Sequence, residues 1–300
     1  MTKVDICNLC GSIIKDEIFK VKDFLVSGEE FSLIRCSKCS LISTSPRPDK
    51  NSIGKYYKSE DYISHFDKPK SLTDKIYFAV RKYMISKKIN FIKKLKQEPI
   101  SILDFGCGAG AFISECNKQG WAIAGYEPDD TARQICDKNN KIATFSNFEH
   151  LKNSKPEPFD VITMWHVLEH VQDIKETLSG LTNLLKHDGL LVIAVPEHNS
   201  FDAEFYKKYW AAYDVPRHLY HFNETTIKYS ARMLNFDVIK KKPLIFDSFF
   251  VSMISENYKK NKLGIVRAAI IGLLSNLKGF FTNTPYSSQI YFLKKRYTDD

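Results

Sequence analysis

The sequence predicts an α/β protein built on an open, doubly wound sheet and preceded by a small cysteine-bearing unit. Two observations carry this prediction. From residue 99 onward, apolar strand-like runs alternate with helical patterns, which is typical of parallel strands joined by crossover helices. Before that, two C-x2-C pairs lie within residues 7–39. With 300 residues, 43% of them hydrophobic, the chain can bury the core of one large domain and an appendage.

The overall charge indicates the class of binding partner, and the N-terminal residues and the cysteines indicate the cellular compartment. A formal net charge of +9 favours anionic partners such as phosphates, nucleic acid or lipid headgroups. The first residues, MTKVDICNLC, contain no apolar run typical of a secretory signal, so we expect a cytoplasmic location. In that reducing compartment, the seven cysteines are better interpreted as metal ligands and buried thiols than as disulfides.

Residues 1–48 are predicted to form a zinc ribbon. The two C-x2-C pairs are separated by 25 residues that contain two β-prone runs, and two strands with a turn would bring the pairs together. Four thiolates suit a closed tetrahedral zinc site, which has no open position and is therefore structural. Four free thiols with coincidental spacing are the alternative. The predicted ligands are Cys7, Cys10, Cys36 and Cys39.

Residues 49–98 are predicted to form a basic helical linker or cap between the ribbon and the main domain. Between residues 66 and 98, lysine and arginine side chains alternate with apolar ones at helical spacing. The charged face is interpreted as solvated, and a face that meets phosphates or nucleic acid is the alternative.

Residues 99–300 are predicted to form the main domain, with a helical insertion at 248–283. Asn223 is a credible N-cap for a helix that precedes two final strands. The predicted strands are 100–105, 121–127, 142–145, 159–165, 190–195, 237–246 and 287–296, and the other predicted helices are 109–118, 130–139 and 173–186.

The apolar segment 263–281 within the insertion is almost long enough to cross a bilayer. Arg267, Asn276 and Lys278 interrupt it. We expect a helix that is buried against the domain, and peripheral contact with a membrane surface is the alternative.

The stretch SILDFGCGAGAFI, residues 101–113, predicts a cofactor loop. Gly106 and Gly108 permit a tight turn close to a ligand, and Glu127 ends the next strand, where a carboxylate can accept hydrogen bonds from a ribose diol. These features serve a dinucleotide or another adenosine cofactor equally well. Asp104, immediately before the loop, disfavours a pyrophosphate and suits a cation. S-adenosylmethionine, which carries a sulfonium and no phosphate, therefore fits best.

Four ordered segments resemble the motifs of class I S-adenosylmethionine-dependent methyltransferases: LDFGCGAG, GYEPD, FDVITMWHVLEHVQD and LLKHDGLLVIAVP. The resemblance covers about residues 99–296. It implies a seven-stranded Rossmann-like sheet whose last strand runs antiparallel. Carried onto this sequence, it implies a cofactor site made of Asp104, Gly106, Cys107, Gly108, Glu127, Pro128, Asn147 and Trp165.

The segment WHVLEH follows the predicted fourth strand and places three polar side chains on one face of a helical turn, namely His166, Glu169 and His170. They could stabilise the turn, present a base or bind a divalent ion. Ubiquinone-type O-methyltransferases have a similar segment with Glu where His166 stands, and this difference puts a hard-ion site in doubt.

A second cluster, YWAAYDVPRHLYHF at residues 209–222, is predicted to line the mouth of the active site. A similar pattern of Trp followed by Pro-Arg-His-Leu occurs in many small-molecule methyltransferases. His218 is the predicted general base, with His166 as the second choice. The predicted substrate contacts are Tyr213, Arg217 and His221, with a pair between Arg217 and Asp214 as the alternative for the arginine.

The sequence as a whole is interpreted as a methyltransferase for a small molecule, methylated on oxygen or carbon. A zinc ribbon before this domain resembles the sugar C-methyltransferases, which implies a sugar-nucleotide acceptor, whereas segment 263–281 favours a quinone-like or lipid-linked one. The alternative is a zinc-ribbon RNA base methyltransferase, since some ribosomal guanine methyltransferases combine these units. A non-catalytic binding module is disfavoured by the intact glycine loop.

Overall fold

A computed structural model describes residues 1–14, 16–57, 72–98, 100–142, 144–154 and 157–296. The strands are β1 (Asp16–Lys22), β2 (Glu30–Arg35), β3 (Ile42–Ser45), β4 (Ser101–Phe105), β5 (Ala122–Tyr126), β6 (Phe159–Trp165), β7 (Leu185–Pro196), β8 (Tyr220–His221), β9 (Phe236–Pro243) and β10 (Ser288–Lys295). The helices are α1 (Leu72–Lys93), α2 (Ala111–Lys118), α3 (Asp130–Asn140), α4 (Phe148–Asn153), α5 (Ile174–Asn183), α6 (Phe201–Tyr206), α7 (Glu224–Met233), α8 (Asp247–Tyr258) and α9 (Gly264–Phe281). The part of the predicted basic helix that precedes residue 72 lies outside the described residues.

The N-terminal unit is a four-stranded antiparallel sheet in the order β1-β2-β3-β8. Its first two strands form the predicted hairpin. The fourth strand comes from the main domain, where Tyr220 and His221 pair with β3. The cysteine-bearing unit is therefore joined to the main domain by backbone hydrogen bonds as well as by the chain.

The main sheet has six strands among the described residues, in the order β5-β4-β6-β7-β10-β9. The first four are parallel, and β10 runs antiparallel to both of its neighbours, as expected for the last strand. The predicted count of seven is not met. The predicted strand 142–145 contributes one bridge, from Tyr126 to Phe145, in which Phe145 exchanges hydrogen bonds with the backbone of Gly125 and Glu127. The neighbouring Thr144 donates its amide and hydroxyl hydrogen bonds to Asp137 of α3.

Side-chain caps fix where the helices of the main domain begin. Asp129 and Asp173 accept hydrogen bonds from the first turns of α3 and α5. Asn223, the predicted N-cap, forms a reciprocal capping box with Thr226 at the start of α7. These caps place the helices so that the carboxyl ends of β4, β5, β6 and β7 meet at one open edge of the sheet, where ligands bind in this architecture.

The helical insertion between β9 and β10 consists of α8 and α9, which pack against each other. Phe249 of α8 approaches Gly272 of α9 so closely that a β-carbon there would lie 2.7 Å from its ring. The remainder of α9 is mostly outside the core, with 28% of its 18 residues buried. The expected burial of segment 263–281 is therefore wrong. Within the described part of the chain, α9 is the one helix long and apolar enough to cross a membrane.

Candidate active site

The backbone of the glycine loop after β4 adopts a conformation in which residues other than glycine would be strained. Gly106 has φ +81° and Gly108 has φ +54°, both in the left-handed region. A β-carbon on Gly106 would lie 2.5 Å from Cγ2 of Val167, so the loop passes directly beside the segment after β6. The Gly106 amide donates to the carbonyl of Tyr126 (2.8 Å), which ties the loop to the end of β5.

Glu127 lies beside this loop with its carboxylate already oriented. Oε2 accepts a hydrogen bond from the Gly108 amide (2.8 Å), and Oε1 accepts one from the Asp129 amide (2.9 Å). Burial raises the pKa of Glu127 above its ordinary value, against the opposing effect of these two amides. A carboxylate held here at the end of a second parallel strand suits a ribose diol.

Asp104 is the buried acid of the site, with 2% of its surface exposed. Its Oδ1 accepts a hydrogen bond from the Thr163 hydroxyl (2.6 Å). Burial raises the pKa of Asp104 to about 7, while the Thr163 hydrogen bond and the charge of Lys88 act in the opposite direction. A buried carboxylate whose pKa stays raised despite these two groups favours a cationic ligand, and the sulfonium and ammonium of S-adenosylmethionine meet that requirement.

Trp165 ends β6 at the same edge. Lys88 from α1 places its ammonium 4.1 Å from the centre of the indole ring, a cation–π contact. Burial lowers the pKa of Lys88 to about 8. The indole Nε1 of Trp165 is buried and has no hydrogen-bond partner among the described residues, so it is a donor that a bound ligand could satisfy.

Three further predicted cofactor residues have less distinctive surroundings. Cys107 is buried, with its sulfur 3.8 Å from that of Cys136, in agreement with a small apolar filler. Pro128 is exposed directly after Glu127. The Asn147 oxygen accepts hydrogen bonds from the first amides of α4, so its predicted contact with an adenine edge would fall to its amide group. These three assignments stay predictions.

His166 is held as a cation between two carboxylates. Its backbone has φ +55°, Nδ1 lies 3.3 Å from Oε1 of Glu169, and Nε2 lies 3.1 Å from Oδ2 of Asp247. Although burial opposes it, the hydrogen bonds to these carboxylates raise the pKa of His166 to about 9. The two carboxylates favour its protonated form, so His218 is the better-placed base, and the role of His166 as the second choice stays a prediction.

His218 meets Glu169 and His170 in one cluster, where a ligand atom from each lies within 4.8 Å of the others. Nδ1 of His218 lies 2.8 Å from the carbonyl of Ala212, which can only accept, so this nitrogen carries the proton and Nε2 is free to act as a base. Burial and the nearby His218 lower the pKa of His170 to about 4. The cluster can therefore accept a proton or hold a divalent ion; the set considered from the sequence had His166 in the place that His218 takes here.

Arg217 is buried and pairs with Asp214, the alternative to its predicted substrate contact. It is 1% exposed, and its guanidinium contacts Asp23 (3.0 Å), Asp214 (2.7 Å) and the carbonyl of Tyr56 (2.8 Å). All three contacts are internal, and Asp23 belongs to the N-terminal unit.

His221 and Tyr213 are also buried. Nε2 of His221 lies 3.0 Å from the Thr44 hydroxyl, and burial lowers the pKa of His221 well below its ordinary value. This placement corrects its predicted substrate role. Tyr213 lines a cavity of about 470 Å³ together with Arg35 and His198, so its predicted contact with a ligand remains open to test.

The four predicted zinc ligands converge in the structure. The sulfurs of Cys7 and Cys39 are 3.4 Å apart, as are those of Cys10 and Cys36, and all four lie within 4.8 Å of one another. Each C-x2-C turn closes with an amide-to-carbonyl hydrogen bond back to its first cysteine. Four soft donors at these separations fit a closed tetrahedral zinc site.

The cysteine-bearing unit supports the loop that carries His218. The Thr44 hydroxyl donates to the carbonyl of His218 (2.7 Å), and Arg47 donates to the hydroxyl of Tyr220 (2.7 Å). A structural metal in the N-terminal unit would therefore act on the active site through β3.

The sequence analysis missed three residues of the site, namely Lys88, Thr163 and Asp247. Lys88 and Asp247 reach the site from elements distant in the chain and belong to no motif, whereas Thr163 lies within the segment FDVITMWHVLEHVQD. The one available signal was their position, since Thr163 lies in the strand that ends at Trp165 and Lys88 lies in the basic helix.

A family model described as a methyltransferase domain matches residues 77–241, more than half of the chain. The chain belongs to this family. The match begins after the four-cysteine unit.

Similar curated proteins include a ubiquinone biosynthesis O-methyltransferase from Rhodopseudomonas palustris (strain TIE-1), 30% identical over 106 residues that cover 34% of this chain and 42% of that relative. Another of the same name, from Rickettsia bellii (strain OSU 85-389), is 30% identical over 101 residues, or 32% and 41% of the two chains. The chain therefore spans about two fifths of the length of these relatives.

Solved structures with the same fold include the magnesium protoporphyrin IX methyltransferase from Synechocystis PCC 6803 with bound S-adenosylhomocysteine. Its TM-score is 0.55 at 13% identity, with 83% of this chain and 100% of that chain covered. A cyclopropane synthase from Mycobacterium tuberculosis gives a TM-score of 0.50 at 16% identity, with 80% and 95% covered. These likenesses establish the Rossmann-like methyltransferase fold.

Proposed function

We propose that this methyltransferase-domain protein transfers a methyl group from S-adenosylmethionine to an oxygen of a small, largely apolar acceptor. One observation carries the proposal. Asp104, the glycine loop and Glu127 converge at the open edge of the sheet, next to a histidine with a free Nε2. Similarity to ubiquinone biosynthesis O-methyltransferases favours oxygen as the methylated atom and a quinone-like or lipid-linked acceptor over a sugar nucleotide.

The residues that would hold the cofactor follow from the geometry. Asp104 would face its cationic methionine end, Glu127 would accept from its ribose hydroxyls, and the unpaired indole Nε1 of Trp165 at the end of β6 could donate to it. When bound, S-adenosylmethionine supplies a methyl group already activated on a sulfonium. The protein then has to align the acceptor and remove its proton.

His218 is the group placed to remove that proton. Its Nε2 would take the hydroxyl proton of the acceptor as the methyl group passes from the sulfonium sulfur to that oxygen, which would leave S-adenosylhomocysteine as the second product. The Glu169 carboxylate, within 4.8 Å, stabilises the imidazolium that results. The cationic His166, fixed by Glu169 and Asp247, keeps this carboxylate ionised and in place.

A structural zinc ion in the N-terminal unit and a cytoplasmic location complete the proposal. The zinc is supported by the convergence of the four cysteine sulfurs. A divalent ion on the cluster of Glu169, His170 and His218 is the alternative use of those atoms.

The test is untargeted methyl transfer. Methyl-labelled S-adenosylmethionine is offered with the full-length chain to lipid, sugar-nucleotide and RNA fractions of a cell extract, and the product is identified by mass spectrometry. We expect the label on an oxygen in the lipid fraction, absent when His218→Asn replaces the wild type. Label in RNA would overturn the proposal in favour of a base methyltransferase, and label in the sugar-nucleotide fraction would overturn the acceptor class.

A further inference from the structure

The helix α9 exposes one continuous apolar face. Large apolar side chains recur along it at helical spacing, and the most exposed are Ile265 (79%), Phe280 (74%) and Phe281 (75%). The exposed members of this face are Leu263, Ile265, Val266, Ile270, Leu273, Leu274, Leu277, Phe280 and Phe281. Monomeric soluble proteins rarely expose an apolar patch of this kind unless it meets a partner or a membrane.

The charge around this face is of one sign. Residues 257–287 contain five lysine or arginine residues and no aspartate or glutamate. Arg267 is paired with the buried Glu256 (3.3 Å), and the four lysines stand before the helix and in its last turn. The four lysines are Lys259, Lys260, Lys262 and Lys278. A second copy docked through the same face would place two such groups of cations in one interface, whereas anionic lipid headgroups would neutralise them.

The opposite face holds α9 on the protein. The hydroxyl of Ser248 donates to the carbonyl of Gly272 (3.1 Å), and the Asn276 amide donates to the carbonyl of Ile245 (2.8 Å). A helix fixed along its length by a neighbouring segment lies in the plane of an interface, because crossing the bilayer would break these contacts.

The same segment reaches the active site. Asp247, between the two residues that bind α9, pairs with His166 (3.1 Å) at the end of β6. A surface docked on α9 therefore lies next to the mouth where the acceptor enters.

We propose that the exposed face of α9 docks on a membrane surface containing anionic lipid, and that the acceptor reaches the active site from that membrane. The acceptor route rests on the proposed function, and membrane docking does not. Docking buries the apolar side chains among the acyl chains near the headgroups, while the exposed Lys260 and Lys262 contact the headgroups. Lys259 and Lys278 lie over aromatic rings of the protein, Phe205 and Phe201, and add to the positive charge of this region.

The experiment is co-sedimentation of the full-length chain with vesicles of phosphatidylglycerol and phosphatidylethanolamine, against vesicles of phosphatidylcholine alone. We expect binding to the anionic vesicles that weakens as salt is raised. The variant Ile265→Ser, Phe280→Ser, Phe281→Ser should bind at least about tenfold more weakly, since three apolar side chains no longer enter the interface. The matched control, Met233→Ser with Ile239→Ser, removes exposed apolar side chains elsewhere and should bind as the wild type does.

Two results would overturn the docking proposal. The wild type could remain in the supernatant with the anionic vesicles, or it could dimerise in sedimentation velocity through a contact that the triple serine variant abolishes. Neither measurement uses the cofactor or an acceptor, so a failure of the proposed function would not affect them.

The acceptor route is tested by turnover. The triple serine variant should lose turnover on a vesicle-borne hydroquinone and keep it on a soluble one. Equal turnover of this variant on both acceptors would refute that route.

Discussion

The variant Asp104→Asn tests two effects of the buried acid, its destabilisation of the fold and its contribution to cofactor binding. The pKa of Asp104 rises from 3.8 to about 7 on folding, chiefly because the carboxyl is buried. A raised pKa means that the folded chain binds the proton more tightly than the unfolded chain. Protonation of Asp104 therefore stabilises the fold fully below pH 3.8, and this stabilisation is lost as pH rises towards 7. This loss corresponds to about 4 kcal/mol at pH 8 and to less than half of that at pH 5.

Asparagine has the same shape and no charge, so the cofactor-free variant should be more stable than the wild type, and by more at pH 8 than at pH 5. Its affinity for S-adenosylmethionine should fall by about tenfold or more, because the cationic ligand loses a charged partner. Urea unfolding at both pH values and calorimetry with the cofactor measure the two effects.

Asp160→Asn is the matched control with the opposite sign. Although burial opposes it, hydrogen bonds from Ser101 and Lys186 lower the pKa of Asp160 to about 2, so its replacement should destabilise the chain at pH 8. The reasoning is refuted if Asp104→Asn is less stable than the wild type at pH 8, or if it binds the cofactor with unchanged affinity.

Four other variants or treatments test the remaining site. His218→Asn should lower turnover about 100-fold or more with unchanged cofactor affinity, and unchanged turnover would exclude it as the base. Gly106→Ala should lower stability by about 1–3 kcal/mol in urea unfolding, since its β-carbon would meet Val167 at a positive φ. Arg217→Met should cost about 3–5 kcal/mol by leaving two buried carboxylates unpaired, and a near-neutral result would contradict its assigned role. Elemental analysis should find one zinc ion per chain, lost in Cys36→Ala together with thermal stability; a metal-free, stable wild type would contradict the ribbon.

Local patterns allowed much of the architecture to be predicted. The alternation of apolar runs located β6 at its observed bounds, and the Asn223 cap located the start of α7. The antiparallel last strand followed from the family resemblance. The strand predicted at 142–145 forms one bridge, and its Thr144 is held by Asp137, a side chain of the preceding helix. A side-chain contact of that kind has no signature in the hydrophobic pattern.

In the active site, too, the residues within local motifs were predictable, and those that depend on contacts between distant residues were not. The glycine loop and Glu127 lie within contiguous motifs and come together in the structure as expected. The sequence offered the pair of Arg217 with Asp214, but its second partner, Asp23, is 194 positions away, and the protonation of His166 depends on Asp247 from the helical insertion. Burial and long-range charge pairs decide which polar side chains of a motif remain free for chemistry, and only the folded chain shows them.

The central claim is that this loop and its acids hold S-adenosylmethionine for methyl transfer to oxygen. The most direct measurement is a single-turnover assay in which the wild-type chain, labelled S-adenosylmethionine and a hydroquinone acceptor in anionic vesicles are mixed and the products are separated. We predict S-adenosylhomocysteine and an O-methylated hydroquinone in equal amounts, with neither formed by His218→Asn on the same timescale. Tight cofactor binding without methyl transfer to any oxygen, or label recovered in RNA when RNA is supplied as competitor, would contradict the account.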